Sequence, residues 1–242
     1  MQRGEFLING IKSADLSAWI VNNPAIPMPV RQVDLKEIIG GNRSIAFDQA
    51  SYSNREFELS IAVKAENQAD RLAKQTKLLH AFDSGGYIPA VFYFDETHTY
   101  QIIRTGEVTE KKPATIGEHR VYTFKVSADP FKYLSAPAQT FGKSGTITNP
   151  TIYDSLPYIK IVGGGDIDLT VNGALIHFHG VTSQIELDSF LEDAYRNDAG
   201  HYYNENSKMQ LTDFPTFKPG TNTFSTVGTV TQILIEPRWR TL

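Results

Sequence analysis

The chain has 242 residues and a mass of 27.0 kDa, long for one compact domain and comfortable for two of about 100–140 residues. Apolar residues make up 40% and charged residues 21%, enough to bury a core and too apolar for a disordered tail. Lysine and arginine number 23 against 27 acids, for a net charge of −4, which argues against a chain-wide attraction to nucleic acid; the absence of cysteine excludes disulfides, thiol nucleophiles, iron–sulfur clusters and cysteine zinc sites.

The chain opens MQRGEFLING, without the basic flank, apolar stretch and cleavage site of a secretory signal. Its longest apolar runs, such as Ala90 to Phe94, fall far short of the roughly 20 residues that cross a bilayer. The expectation is a soluble protein made inside the cell. The run Phe57 to Lys64 alternates apolar and polar residues and predicts a half-buried strand. A helix follows from Gln68 to Phe82. Asn67 is its N-cap, Asp70 answers the free amides of the first turn, and Ser84-Gly85-Gly86 ends it. Ala69, Leu72, Ala73, Thr76, Leu79 and Phe82 form its predicted apolar face, with Lys74 and Lys77 in water. Val91 to Phe94 reads as a buried strand, and Val121 to Val126 as another half-buried one.

Asp129-Pro130 is expected to break that last strand, and the small, polar stretch through Gly145 marks a boundary. Two domains are therefore expected, residues 1–135 and 136–242. The first, with its helix, reads as α+β. The second reads as an antiparallel β-sandwich, with turns about every 8–12 residues. Its strands are Ile159 to Val162, Ile167 to Val171 after three glycines, Ala174 to His179 after an Asn172-Gly173 hairpin turn, and Val230 to Ile235. Asp188 to Arg196 has the propensity of a second short helix. No repeat of 20–50 residues is present.

The groups that could carry chemistry each have a plainer reading. Gly163-Gly164-Gly165 lacks the Lys-Ser/Thr of a phosphate loop and reads as a turn or bulge. His177 and His179 project from one strand face, where a metal would need a third ligand; no acid or histidine has a spacing that demands it, and a solvated pair is the plainer outcome. Asp83-Ser84-Gly85-Gly86 and Tyr153-Asp154-Ser155 are not nucleophile elbows. Glu186 and Asp188 share a strand face but read as surface charges without a cleft. Tyr202-Tyr203, expected in a loop, and Trp239 between Arg238 and Arg240 are the interaction candidates, the last equally read as packing between two solvated cations. No catalytic, cofactor-binding or metal-binding residue is assigned, and no cofactor is expected.

Taken in order, these pieces resemble the distal tail proteins (Dit) of siphophages that infect Gram-positive bacteria. In the first half the resemblance rests on Arg55-Glu56-Phe57-Glu58-Leu59, the helix, Gly85-Gly86, the strand ending near Asp95, and the stretch Phe124 to Tyr133. In the second it rests on Asn149-Pro150-Thr151, Ser155 to Ile161, the glycine turn, Glu186 to Ser189, Phe214-Pro215 and Lys218 to Asn222. The resemblance implies a mainly β fold with one helix: an N-terminal α+β belt domain that forms a ring, then a galectin-like antiparallel β-sandwich outside it. It implies a non-enzymatic, hexameric hub at the virion tail tip, assembled in the host cytoplasm. Its partners would be copies of itself, the tail tube protein, a tail-associated lysin or fibre protein and a receptor-binding protein. DNA would pass through the channel without specific binding, along a wall free of any net basic patch.

The chain also departs from galectins. His177-Phe178-His179 has no Asn or Arg at the galactoside-binding spacing, and neither Trp19 nor Trp239 lies mid-sandwich. Nor does the second half have room for the large carbohydrate-binding inserts of some relatives, so receptor recognition is expected in another protein. The alternatives are a carbohydrate-binding β-sandwich used in adsorption to the host cell surface, which needs several aromatics on one sheet face, and a hydrolase with a carboxylate pair, which needs a cleft.

Overall fold

A computed structural model describes residues 1–21, 23–112 and 119–242. The chain divides into two compact units, Met1–Lys132 with Leu242, and Tyr133–Thr241.

The first unit contains β1 (Phe6–Ile8), β2 (Ile11–Lys12), a 3-10 turn (Ser13–Leu16), β3 (Ala18–Ile20), β4 (Arg31–Lys36), β5 (Ile45–Tyr52), β6 (Arg55–Val63), α1 (Gln68–Ala81), β7 (Ile88–Phe92), β8 (Asp95–Arg104), β9 (Thr109–Lys111) and β10 (Arg120–Leu134). Its main sheet runs β2-β1-β7-β8-β10-β6-β3, with β9 on β10. The alternation read in residues 57–64 places Phe57, Leu59, Ile61 and Val63 in the core, opposite Val126, Phe124 and Tyr122 of β10.

The helix begins as expected: the Asn67 side chain accepts from Asp70 N at 2.9 Å. Its buried side differs from the predicted stripe. Leu78, Ala81 and Phe82 enter the core, and Phe82 stacks on Phe124 with centroids 4.0 Å apart. Ala69, Leu72, Ala73 and Thr76 are exposed. The first turns instead lay half-buried Arg71 and Lys74 towards the sheet, and Lys74 is not in open water. Its ammonium donates to Asp70 at 2.9 Å and to Lys64 O at 3.0 Å.

Asp129-Pro130 does not break β10. Proline's fixed φ suits an extended chain, Asp129 Oδ1 accepts from Phe131 N at 2.8 Å, and Pro130 O accepts the buried Arg55 guanidinium at 2.8 Å. The buried strand predicted over residues 91–94 is shorter: β7 ends at Phe92, and Phe94 is exposed.

The second unit contains β11 (Gln139–Phe141), β12 (Ser144–Asn149), β13 (Tyr158–Val171), β14 (Ala174–Val181), β15 (Gln184–Asp188), β16 (Asp193–Asp198), β17 (His201–Asn204), a 3-10 turn (Asn206–Lys208), β18 (Met209–Gln210), β19 (Gly220–Glu236) and β20 (Arg240–Thr241). Two long strands organise it. The first part of β13 pairs with β15 and its last part with β14, while β19 lies along both. The two parts meet at irregularities at Gly163 and between Gly164 and Ile167. A Cβ on Gly163 would stand 2.2 Å from Thr229 O, so only glycine admits this approach. Ile159, Ile161, Ile167, Leu169, Phe224, Ile233 and Ile235 fill one core, so the antiparallel sheet curls into a sandwich around it.

The Asn172-Gly173 turn forms as read, with φ of +49° and +86°. The second helix does not form. Asp188 ends β15, residues 189–192 turn, and β16 returns antiparallel.

Candidate functional site

Among the described residues, no group of three or more His, Asp or Glu side chains converges on a common metal position. Nor, among the described residues, is any helix long and apolar enough to cross a membrane. Three surface features carry what chemistry the molecule offers.

The first is an arm. Among the described residues, β4 and β5 pair only with each other. An isolated two-stranded hairpin is marginal in water, and this one is tied at its base. Arg31 Nε donates to Asp48 Oδ1 at 3.0 Å and Arg31 Nη1 to Tyr52 OH at 2.9 Å; Tyr52 meets Phe131 edge-on at 5.6 Å. Beyond the base the arm is apolar and open. Val33, Leu35, Ile38, Ile39, Ile45 and Phe47 are all exposed, Leu35 at 69% and Ile39 fully. Sequence reasoning passed over this segment. Each strand does alternate, Val33 and Leu35 with Asp34 and Lys36, and Ile45 and Phe47 with Ala46 and Asp48, but pairing sets Val33 and Leu35 on one face and Ile45 and Phe47 on the other.

The second is a polar sheet face. Register places Tyr158, Lys160, Gln184, Glu186, Asp188, Tyr195, Asn197 and Tyr202 on the side of β13, β15, β16 and β17 away from the core. Glu186 and Asp188 are not surface charges: each is 2% exposed. Buried carboxylates need partners. Asp188 takes a two-pronged contact from Arg238, at 2.7 and 2.9 Å, and accepts from Phe190 N and Leu191 N at 3.0 and 3.2 Å. Glu186 takes Lys160 Nζ at 3.3 Å and Gln184 Nε2 at 3.2 Å.

Burial, with Asp188 and Glu186 nearby, pushes Tyr195 up to about 12, and burial beside Glu186 raises Tyr158 further. Burial disfavours the charged Arg238, but Asp188 outweighs it and raises its pKa. Tyr202 packs on Tyr195 with centroids 5.5 Å apart and is 69% exposed. Tyr202 and Tyr203 lie on strand β17 rather than in a loop, and Arg196 covers the Tyr203 ring at 4.2 Å. The Arg-Trp-Arg segment is packing: Trp239 is buried against Phe217, Arg238 holds Asp188, and Arg240 Nε donates to Asp154 O at 2.6 Å.

The third feature is the histidine pair. Asp168 stands directly opposite His177 across the β13–β14 hairpin. His177 Nδ1 donates to Asp168, and His177 Nε2 lies 3.0 Å from His179 Nδ1. The sequence held this carboxylate in view: with Asn172-Gly173 as a two-residue turn, positions summing to 345 pair, and 168 pairs with 177.

Comparison with known proteins shows the fold. No family model matches the chain, and no curated protein matches it. Among solved structures it is similar to the Dit protein (gp 19.1) of phage SPP1, described as a paradigm of the hub adsorption apparatus in Gram-positive infecting phages. The TM-score is 0.67 at 16% identity, over 98% of this chain and 99% of that one. It is also similar to chains of the phage p2 baseplate in its activated conformation. With Sr the TM-score is 0.57 at 8% identity, over 93% of this chain and 92% of that one. With Ca it is 0.57 at 8% identity, over 97% of each. The chain has the mainly β fold of these proteins, with one α-helix among the described residues.

Proposed function

We propose that the chain is the structural hub of a siphophage tail tip, a non-enzymatic part of the virion. In this reading six copies close into a ring through the first unit, joining the tail tube to a tail-associated lysin or fibre protein, with a receptor-binding protein beyond. The second unit is a galectin-like sandwich outside the ring, and DNA passes along a channel wall without a net basic patch. Likeness to the SPP1 hub protein over nearly the whole of both chains supports the reading.

The observation that carries it is the arm. A lone chain leaves Val33 and Leu35 on one face of the arm, and Ile45 and Phe47 on the other, in water, and large exposed apolar side chains of this kind suit an interface. A ring needs one surface that fits a different surface of the next copy, and closes when the rotation between copies divides a full turn. An arm that projects apolar residues from one protomer suits such head-to-tail contact.

Light scattering behind size exclusion tests this. The expected result is a mass near six protomers for the native chain, and a monomer for the Leu35→Glu/Phe47→Glu variant. A native chain that stays monomeric across micromolar to near-millimolar concentration overturns the ring, and a variant that still forms it overturns the arm's role.

A specific observation favours a second reading. Tyr158, Tyr195 and Tyr202 share one sheet face with Gln184 and Asn197, and aromatic rings beside planar amides suit stacking on sugars. Titration with cell-wall saccharides followed by NMR, comparing the native chain with Tyr202→Ala, separates this reading from a purely structural role.

A further inference from the structure

We propose that the outer face of the β13–β14 hairpin is an open binding site for a transition-metal ion of the Zn2+ class. Its protein ligands are His177 Nε2 and His179 Nδ1. Asp168 is the positioning residue that sets the His177 tautomer. The site is independent of the hub reading and rests only on this hairpin.

The backbone creates the arrangement. A two-residue turn at Asn172-Gly173 locks the register, so Asp168 and His177 are cross-strand neighbours. The strand's period of two sets His179 on the same face as His177. In-register neighbours add no competing charge: Val227 lies beside Asp168, and Gln210 beside His177. The nearby Asp166 carboxylate is engaged with Gly180 N at 2.9 Å.

Protons follow from that geometry. Asp168 accepts the Nδ1–H of His177. A neutral imidazole with its proton held on Nδ1 presents a lone pair at Nε2. Metal-bound histidines recur in this carboxylate–histidine arrangement, because the acceptor fixes the ring and raises ligand basicity. The lone pair of His177 Nε2 is directed at His179 Nδ1, 3.0 Å away, and the rings stand at 76°.

Two imidazoles on one tetrahedral ion, each at about 2.0–2.1 Å, place their nitrogens about 3.3 Å apart. The nitrogens stand near that spacing, but the ring centroids, 4.0 Å apart, must open by about 1 Å for both nitrogens to aim at one ion, a movement the exposed His179 side chain can make by rotating. In the neutral pair a single shared proton occupies the space the ion would take.

Ligand chemistry selects the ion. Imidazole suits Zn, Cu and Ni, while Mg and Ca prefer carboxylate and carbonyl oxygen. Asp168 sits behind His177 rather than beside the ion, so the site has two protein ligands and open positions for water or a donor from a docking molecule. The side chains are accessible, His177 at 30% and Asp168 at 37%.

Isothermal titration of the full, tag-free chain with ZnCl2 tests the proposal, with MgCl2 as the control. The expected result is one equivalent of Zn2+ bound and no Mg2+ response. Binding should weaken on acidification, because the proton competes with the ion for imidazole nitrogen. The His177→Ala/His179→Ala variant should lose the site while keeping the native melting temperature. Asp168→Ala should weaken binding by about 10–100-fold, and Asp168→Asn, which keeps an acceptor for Nδ1–H, should recover part of that loss.

Zn2+ binding that survives in the double histidine variant would overturn the proposal by assigning the ion to His80, His98, His119 or His201. So would the absence of binding at millimolar Zn2+. An affinity unchanged by Asp168→Ala would overturn the positioning role alone.

Discussion

Asp188→Ala isolates the energetics of the buried charges in the second unit. The substitution removes both acceptors of the Arg238 guanidinium and the acceptor of Phe190 N and Leu191 N. Breaking a buried pair from one side costs about 3–5 kcal/mol, because the surviving charge is left uncompensated. Arg238 retains 29% side-chain exposure and can turn partly to water. Phe190 and Leu191 are themselves exposed, so their amides can be hydrated. The cost therefore belongs near the lower end, about 3 kcal/mol.

Removing the cation as well, in Asp188→Ala/Arg238→Met, should restore most of this, with a coupling of about 2 kcal/mol or more. Urea unfolding followed by Trp239 fluorescence measures it. Trp239 is 4% exposed in the second core, and a Trp19→Phe background removes the other tryptophan, which lies in the first unit. A cost below about 1 kcal/mol for Asp188→Ala, or additivity in the double variant, would show that the carboxylate is not the counter-charge argued here.

Three further outcomes follow from single sites. Gly163→Ala drives a Cβ into Thr229 O and should cost about 2–3 kcal/mol in the same fluorescence assay, whereas Gly142→Ala, with nothing within 4 Å, should be neutral. Asn67→Ala removes the acceptor for Asp70 N and should destabilise the first unit by about 1 kcal/mol, with Asn67→Asp recovering it, as read by thermal melts. Asp95 is the acceptor for His98 Nδ1 at 2.5 Å, Lys132 Nζ at 3.1 Å and Tyr100 OH at 3.0 Å; burial raises its pKa, but these donors outweigh burial and hold it below the usual carboxylate range. A depressed native pKa gives stability that is present above about pH 4 and lost as pH falls through the native value. Asp95→Asn should therefore flatten the acid limb of a stability–pH curve, and an unchanged limb would refute the assignment.

What was legible in the sequence was local. Alternation in residues 57–64 yields β6 and its inward side chains, and Asn172-Gly173 yields a turn whose arithmetic pairs Asp168 with His177. The helix could be read from its N-cap, but not its buried side or its stop: it ends at Ala81 with Phe82 as a right-handed cap, before Ser84-Gly85-Gly86, and neither glycine takes a positive φ. The predicted stripe runs through Ala69, Leu72, Ala73 and Thr76, whereas the buried side carries Arg71 and Lys74 in its first turns and becomes apolar only at Leu78, Ala81 and Phe82, where it meets Phe124. Glu186 and Asp188 read as solvated because carboxylates are seldom buried unpaired. Their partners, Lys160 and Arg238, lie 26 and 50 positions away and are brought in only by sheet register. The strands of the arm alternate, but with apolar residues exposed on both faces the alternation does not say which face is covered.

Identity of 16% to the SPP1 hub protein, and 8% to the p2 baseplate chains, extends over more than nine-tenths of this chain. At that distance the shared fold is an agreement about pattern rather than residues. Pattern is what the core requires. Alternating burial in β6 and β10, and a close backbone approach at Gly163, tolerate many apolar identities but not a shifted period or an added Cβ. Surface chemistry has no such tolerance. An arm tipped with Ile39, a tyrosine face over two buried carboxylates and a histidine pair aimed by Asp168 each depend on particular side chains. The fold therefore follows pattern, while what this chain touches depends on these particular side chains. Arm, tyrosine-face and histidine variants on this chain, each leaving the core untouched, are the direct way to read it.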